Sequence, residues 1–233
     1  MHSRLHNLLL LYRNTFHSVV NIDISKDKIV RLNFTESNTD LTEEILQDEI
    51  FFSDYIHRQL KNKNATWGMG GYLELRTVYS RGNIFNSENE EPRRLHLGID
   101  IWGNEGTLIF CPLDATVHSF AFNDNYGDYG ATIILQHELD GFVFYTLYGH
   151  LSLKDIEDLK EGQFIAKENL LAHFGNEKEN GHWPPHLHFQ LIENIGMYKG
   201  DYPGVCKLSE KEFYQNNCPN PDLILNLMKY TVL

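Results

Sequence analysis

The 233-residue chain is short of positive charge, of cysteine and of long apolar runs, and each shortage narrows what it can be. Lys and Arg number 20 against 32 Asp and Glu, a formal net charge of -12, and no Lys/Arg cluster offsets that balance. Binding a phosphate backbone depends on concentrated positive charge, so no nucleic-acid partner is expected. The same charge disfavours adhesion to anionic membranes and cell walls. The three cysteines, Cys111, Cys206 and Cys218, are odd in number, lie far apart and lack CxxC spacing. They read as free thiols of a reducing cytoplasm rather than as a disulfide pair with an orphan. The apolar run Leu8–Tyr12 is far below the ~20 residues of a membrane span. Arg4 precedes it, but the polar Arg13-Asn14-Thr15 follows with no small-residue cleavage site, so a buried helix is expected and not a signal peptide. A cytoplasmic protein without membrane contact is the resulting expectation.

What is present is ordinary globular material. Hydrophobic residues at 42% and charged residues at 22% exclude wholesale disorder. This length suffices for one substantial core or two small ones. Residues 1–19 read as a helix with its Leu-rich side inward. Val19–Ile24 and Lys28–Phe34 alternate as strands, which predicts a hairpin over Ser25-Lys26-Asp27. Thr39–Asn62 reads as one helix, capped by Thr39 or Asp40, with Glu43 and Glu44 in its first turn and an apolar stripe of Ile45, Ile50, Phe51, Tyr55 and Leu60. The glycine-rich Trp67–Tyr72 lacks the lysine and helix start of a phosphate loop and reads as a linker bend. Short strands dominate from Tyr72 onward. The expected class is therefore α+β, mainly antiparallel β, with an N-terminal helix/strand extension over 1–70 and a β domain over 71–233. Ser209 onward predicts a capped helix and then a last helix, Leu223–Tyr230.

Chemistry collects in two strand-like segments. In Arg94–Trp102, Leu97, Ile99 and Ile101 alternate with His96, Gly98 and Asp100. In Pro185–Leu191, Leu187, Phe189 and Leu191 alternate with His186, His188 and Gln190. Strand geometry sends alternate side chains to opposite faces, so each segment presents ligand-type groups on one face and aliphatics on the other. Gly98 is expected to leave room for a ligand between His96 and Asp100. Imidazole and carboxylate are ordinary Zn²⁺ ligands, and three protein ligands with one open position describe a catalytic site. His96, Asp100, His186 and His188 offer four such groups where three suffice. A third strand, Phe144–Leu151, ends at Gly149-His150, with Ser152 as an expected helix cap and Asp155 three residues on. Glu74 and Arg76 share a strand face as an expected ion pair. His118 and His137 read as structural, His173 and His182 as solvent-exposed, and Trp183-Pro184-Pro185 as a rigid approach to His186.

His96-x-x-x-Asp100, Tyr148-Gly149-His150-Leu151 and Pro185-His186-Leu187-His188-Phe189, together with Gly106–Val117, resemble the signature of lysostaphin/LytM-type zinc metallopeptidases, family M23, over about residues 93–195. The details around Trp183–Leu191, Asp128–His137 and Gly200–Val205 are similar to the M23-like module found beside phosphotransferase-like and class III aminotransferase domains. The resemblance implies an M23-like β domain in which His96, Asp100 and His188 hold zinc and His150 and His186 flank the metal as catalytic residues. His186 is expected as the base and His150 as the oxyanion-side partner, with the exchange of these roles left open. It also implies a substrate: an amide bond in a small peptide or peptidoglycan-type fragment. Two alternatives stand beside it. One is a metal-binding module without peptidase turnover, acting through a protein partner or a homo-oligomer. The other is a zinc hydrolase of a non-peptide metabolite.

Overall fold

The structure, a computed structural model, describes residues 3–81, 83–86 and 90–233. Met1 and His2, at the head of the expected first helix, lie outside the described residues. Helix α1 runs Arg4–Tyr12, strand β1 Ile29–Leu32, helices α2 and α3 Glu43–Gln47 and Glu49–Asn62, and strand β2 Trp67–Gly70. Two 3-10 turns, Val78–Arg81 and Asn83–Phe85, lead to β3 Leu95–His96, β4 Ile99–Trp102 and β5 Leu108–Phe110. The long meander β6 Ala115–Asn123, β7 Gly130–Leu139 and β8 Phe142–Leu151 follows. Helix α4 Lys154–Glu157, β9 Phe164–Ile165, β10 Leu170–His173 and β11 His186–Ile192 complete the central part. The tail holds β12 Val205–Cys206, α5 Lys211–Asn217, α6 Asp222–Leu225 and β13 Thr231–Val232. The class is α+β and mainly antiparallel, as the strand patterning predicted.

Among the described residues, one sheet of nine strands carries the fold in the order β13-β1-β2-β4-β11-β8-β7-β6-β9. Its pairs are antiparallel from β2 to β9, whereas β1 runs parallel to both β2 and β13. One apolar cluster joins Leu5 and Leu9 of α1 to Ile99, Ile101, Leu187, Phe189 and Leu191. A second packs Phe52, Tyr55 and Ile56 of α3 against Val30, Leu32, Trp102 and Trp183. The three cysteines are free and buried. No described helix is long and apolar enough to cross a membrane.

Several local expectations change. Val20 makes only an isolated bridge to Ile109, so no hairpin forms over 25–27, and β1 pairs with β2 instead. The helix expected over 39–62 is two, because Asp48 sits in extended geometry and its carboxylate accepts from the Phe51 amide, restarting the helix; Thr42 caps the first. That reset turns Ile50 and Phe51 to solvent and buries Leu46, Phe52, Tyr55 and Ile56. Residues 67–70 are a buried strand, not a bend. Its glycines provide clearance: a Cβ at Gly68 would lie 2.7 Å from Leu32 Cδ1, and one at Gly70 would strike the Arg76 guanidinium and stand 2.9 Å from the Trp102 ring. The sheet thus runs unbroken across residue 70. The last helix stops at Leu225, where Asn226 takes a left-handed conformation (φ 54°), and the chain goes on to a 3-10 turn and β13.

Candidate active site

The arrangement starts from strand register. In the β4–β11 pair, His188 lies opposite Asp100 and His186 opposite Trp102, while on its other side His188 faces Gly149 of β8. Cross-strand neighbours on one face meet directly, which brings Asp100 and His188 together. His96 arrives differently. The expected continuous strand is broken at Leu97-Gly98: β3 pairs with β12, and β4 with β2 and β11. Leu97 accordingly enters a different apolar cluster from Ile99 and Ile101. Gly98 leaves no room for a ligand either, because the His188 ring fills that space, with Cε1 and Nε2 2.5 and 2.6 Å from where a Cβ would stand.

The three groups converge. His96 Nε2 is 3.0 Å from His188 Nδ1 and 3.2 Å from Asp100 Oδ1, and His188 Nδ1 is 3.0 Å from the same oxygen. All three residues are buried. The remaining ring nitrogens define the tautomers. His96 Nδ1 lies 3.0 Å from the Gly71 carbonyl, and His188 Nε2 lies 2.9 Å from Gln190 Oε1, whose amide nitrogen donates to the Pro203 carbonyl. Both contacts require an N–H on those nitrogens, so His96 Nε2 and His188 Nδ1 carry bare lone pairs. With both rings neutral in these tautomers, three acceptor atoms face one another, an arrangement that a cation favours. Tetrahedral ligands at 2.0–2.1 Å from zinc lie about 3.3 Å apart, close to the observed triangle. The residues present fit the metal.

The carboxylate is held from behind. Arg76 Nη1 donates to Asp100 Oδ2 at 2.5 Å and to the Tyr79 hydroxyl at 3.2 Å, and its Nε donates to Glu74 Oε2 at 2.8 Å. The expected Glu74–Arg76 pair is present, but the buried partner that matters chemically is Asp100. Burial alone would raise the Asp100 carboxyl; His96 and the permanently charged Arg76 hold it well below the carboxylate range. His96 is pushed down to about 4 by burial and by Arg76.

His150 and His186 stand beside the triangle with ring centroids 4.1 Å apart. His186 Nδ1 donates to the Pro184 carbonyl at 2.7 Å and its ring stacks on Trp102 at 5.1 Å, so the proline-rich approach does orient it. His150 Nδ1 donates to the Asn180 carbonyl at 2.8 Å. Each therefore keeps a free Nε2 lone pair. Burial pushes His186 down to about 4, and burial, then His186 and His188, depress His150 well below the ordinary imidazole value, so both are neutral at pH 7. His150 has φ 64°, a left-handed conformation rare outside glycine, fixed by its amide bonding to the Tyr129 carbonyl and its carbonyl accepting from Gly175.

Other expectations resolve as follows. Ser152 caps no helix; its hydroxyl reaches Glu179, and Asp155 instead holds the amide and ring of His173. His173 is thus paired to a carboxylate rather than free in solvent. His182 is half-exposed beside Glu49. His137 is buried between the Asp114 carbonyl and Thr146, in keeping with a structural role, and His118 contacts Ser119. Sequence reasoning missed Asn180, whose buried amide ties the approach loop to Gly175 and Trp183, and Tyr129, whose ring lies 5.1 Å from that of His188. Asn180-Gly181 was a legible turn signal for the first; no local signal marked the second.

Asp100, His150, His186 and His188 line a cavity of about 300 Å³, and His96 lies behind them, fully buried. Residues 94–199 match the sequence model described as Peptidase family M23. A curated relative, an uncharacterized metalloprotease of Haemophilus influenzae, is 33% identical over 101 residues, 43% of this chain and 19% of that protein. The match thus spans about a fifth of the relative's length. Among solved structures, the lysostaphin catalytic domain of Staphylococcus simulans is 20% identical, with a TM-score of 0.42 over 68% of this chain and 96% of that one. A zinc containing peptidase from Vibrio cholerae is 23% identical, with a TM-score of 0.34 over 47% of this chain and 31% of that one.

Proposed function

We propose that the chain, whose residues 94–199 match the model of peptidase family M23, is a zinc-dependent hydrolase of an amide bond in a small peptide or peptidoglycan-type fragment. His96, Asp100 and His188 hold the ion, and His150 and His186 are the catalytic residues. The observation that carries this reading is the triangle of three bare donor atoms at 3.0–3.2 Å, with both imidazole tautomers set by hydrogen bonds on the far side of each ring.

Bound zinc supplies Lewis acidity, polarising a carbonyl oxygen and bringing the pKa of a water it binds to about 7. The protein's own groups do the rest. His186 is neutral and presents an unprotonated Nε2, so it accepts a proton without first losing one. Its depressed pKa makes the resulting imidazolium a strong acid, suited to delivering that proton to the leaving amine. The Asp100 charge opposes the depression and stabilises the protonated ring while it exists. His150, locked by Asn180 at the other side, is assigned to the developing oxyanion. Arg76 keeps Asp100 Oδ2 engaged, leaving Oδ1 directed at the triangle.

The test is metal content and turnover measured together. Wild type should hold one zinc and cleave short glycyl or alanyl peptides. His188→Ala should lose the metal. His186→Ala should keep the metal and lose turnover, and a fully active His186→Ala would refute the assignment. Folded, zinc-loaded wild type that hydrolyses no peptide would instead favour the partner-binding or non-peptide readings.

A further inference from the structure

The walls of the cavity carry information that the metal cluster does not. Six of the residues that line it, Phe34, Phe52, Val78, Tyr79, Ile84 and Phe85, precede residue 94 and so lie outside the segment that matches the peptidase family. They come from just beyond β1, from α3 and from the two 3-10 turns. They are packed into one another rather than draped over the opening. Phe85 meets Tyr79 at 4.7 Å between centroids, Tyr79 meets Trp183 at 6.4 Å, Trp183 meets Phe52 at 6.0 Å, and Phe52 meets Phe34 at 6.1 Å. Phe34 then meets Trp102, which stacks on His186. The collar is thus continuous with the catalytic floor. Tyr129, Pro203 and Gly204 are also among the lining residues.

Burial agrees with a pocket rather than a groove. His96, Asp100, His186 and His188 expose 3% of their surface or less, and His150 exposes 6%. A chain running past such a cluster in both directions would need an open trough. A space of 300 Å³ is roughly 8 Å across, about two residues of extended chain at 3.3–3.6 Å each. It sits at the lower end of the ~300–1,000 Å³ typical of small-molecule sites. Tyr129 adds a polar feature: its hydroxyl is buried in this wall without a hydrogen-bond partner.

Resting on the peptidase reading, we infer that Phe34, Phe52, Val78, Tyr79, Ile84 and Phe85 close the site into a size-selective pocket that admits the end of a short peptide, about dipeptide in size, and excludes polymers and extended chains. The aromatic collar takes the apolar part of that peptide.

Two measurements test this. Zinc-loaded wild type is assayed on alanyl peptides from dipeptide to octapeptide and on intact peptidoglycan. The specificity constant should fall at least tenfold beyond the tripeptide, and the polymer should resist. Ile84→Ala and Phe85→Ala, each checked for folding by circular dichroism, should shift the cutoff toward longer peptides. In parallel, equilibrium binding of the same peptides to zinc-loaded His186→Ala is followed by the fluorescence of Trp102 and Trp183, both of which line the cavity. Short peptides should bind at least tenfold more tightly than the octapeptide. Cleavage of octapeptides or polymer as efficient as that of dipeptides overturns the pocket inference while leaving the hydrolase intact. Length-selective binding without any turnover upholds the pocket and refutes the hydrolase. Binding of no peptide, or a length profile unmoved in both wall variants, overturns the inference.

Discussion

Replacing Arg76 with methionine isolates how the protein tolerates a buried carboxylate at its proposed metal centre. The Arg76 side chain is 2% exposed, Asp100 4% and Glu74 10%, with contacts of 2.5 and 2.8 Å. Methionine keeps most of the stem's volume and removes the charge, stranding Asp100 without its guanidinium partner. Removing one partner of a buried ion pair costs about 3–5 kcal/mol, a large share of the ~5–15 kcal/mol that holds a domain folded. At about 2–4 °C per kcal/mol for a chain of this size, the metal-free variant should melt about 6–20 °C below wild type. Zinc changes the comparison, because its double positive charge supplies the counter-charge that Asp100 lost. The gap should narrow in zinc, and by linkage the variant's zinc affinity should rise tenfold for each 1.4 kcal/mol by which it narrows. The assay is scanning calorimetry of both proteins in chelator and in excess zinc, with Glu74→Gln added to Arg76→Met so that only Asp100 is stranded. An Arg76→Met protein that melts with wild type in chelator would refute the claim that this pair compensates the buried charge. A gap unchanged by zinc would refute the claim that the metal takes its place.

Other outcomes follow from the same geometry. Gly98→Ala puts a methyl against the His188 ring and 2.9 Å from the Phe189 carbonyl, so metal content should fall with the first ligand displaced, as elemental analysis would show. Tyr129→Phe removes a buried hydroxyl without a hydrogen-bond partner, so the melting temperature should hold within about 2 °C, as calorimetry would show. His137 is pushed down to about 4 by burial. Its unfolded form binds a proton near pH 6.5 and its folded form does not. Its stabilising contribution is therefore whole above that pH, falls by about 1.4 kcal/mol per unit as pH drops toward 4, and levels off below. His137→Gln should flatten that part of the denaturation profile measured in urea.

Local periodicity was enough to determine a good deal. Alternation along Pro185–Leu191 separated His186, His188 and Gln190 from the aliphatics that pack the core, and the structure keeps that division because a β-strand has a fixed period of two. The class was legible in the strand patterning, and the short apolar runs agree with the described helices, none of which is long and apolar enough to cross a membrane. The reach of such reasoning ends where contacts join distant residues. Arg76 looked like the partner of its neighbour Glu74, and only packing set it on Asp100, 24 positions away. The glycines of Trp67–Gly70 suggested a bend; they serve instead to let Leu32 and Arg76 approach a central strand. The break at Leu97-Gly98, which swings His96 onto Asp100 and His188, follows from β3 and β4 pairing with different strands. The cavity is lined in part by Phe34, Phe52, Val78, Tyr79, Ile84 and Phe85, which precede the strands that carry the histidines. A one-dimensional pattern states which way a side chain points relative to its own backbone. Which other backbone stands there is decided by the tertiary fold, and here that decides both the charge behind Asp100 and the size of the space in front of it.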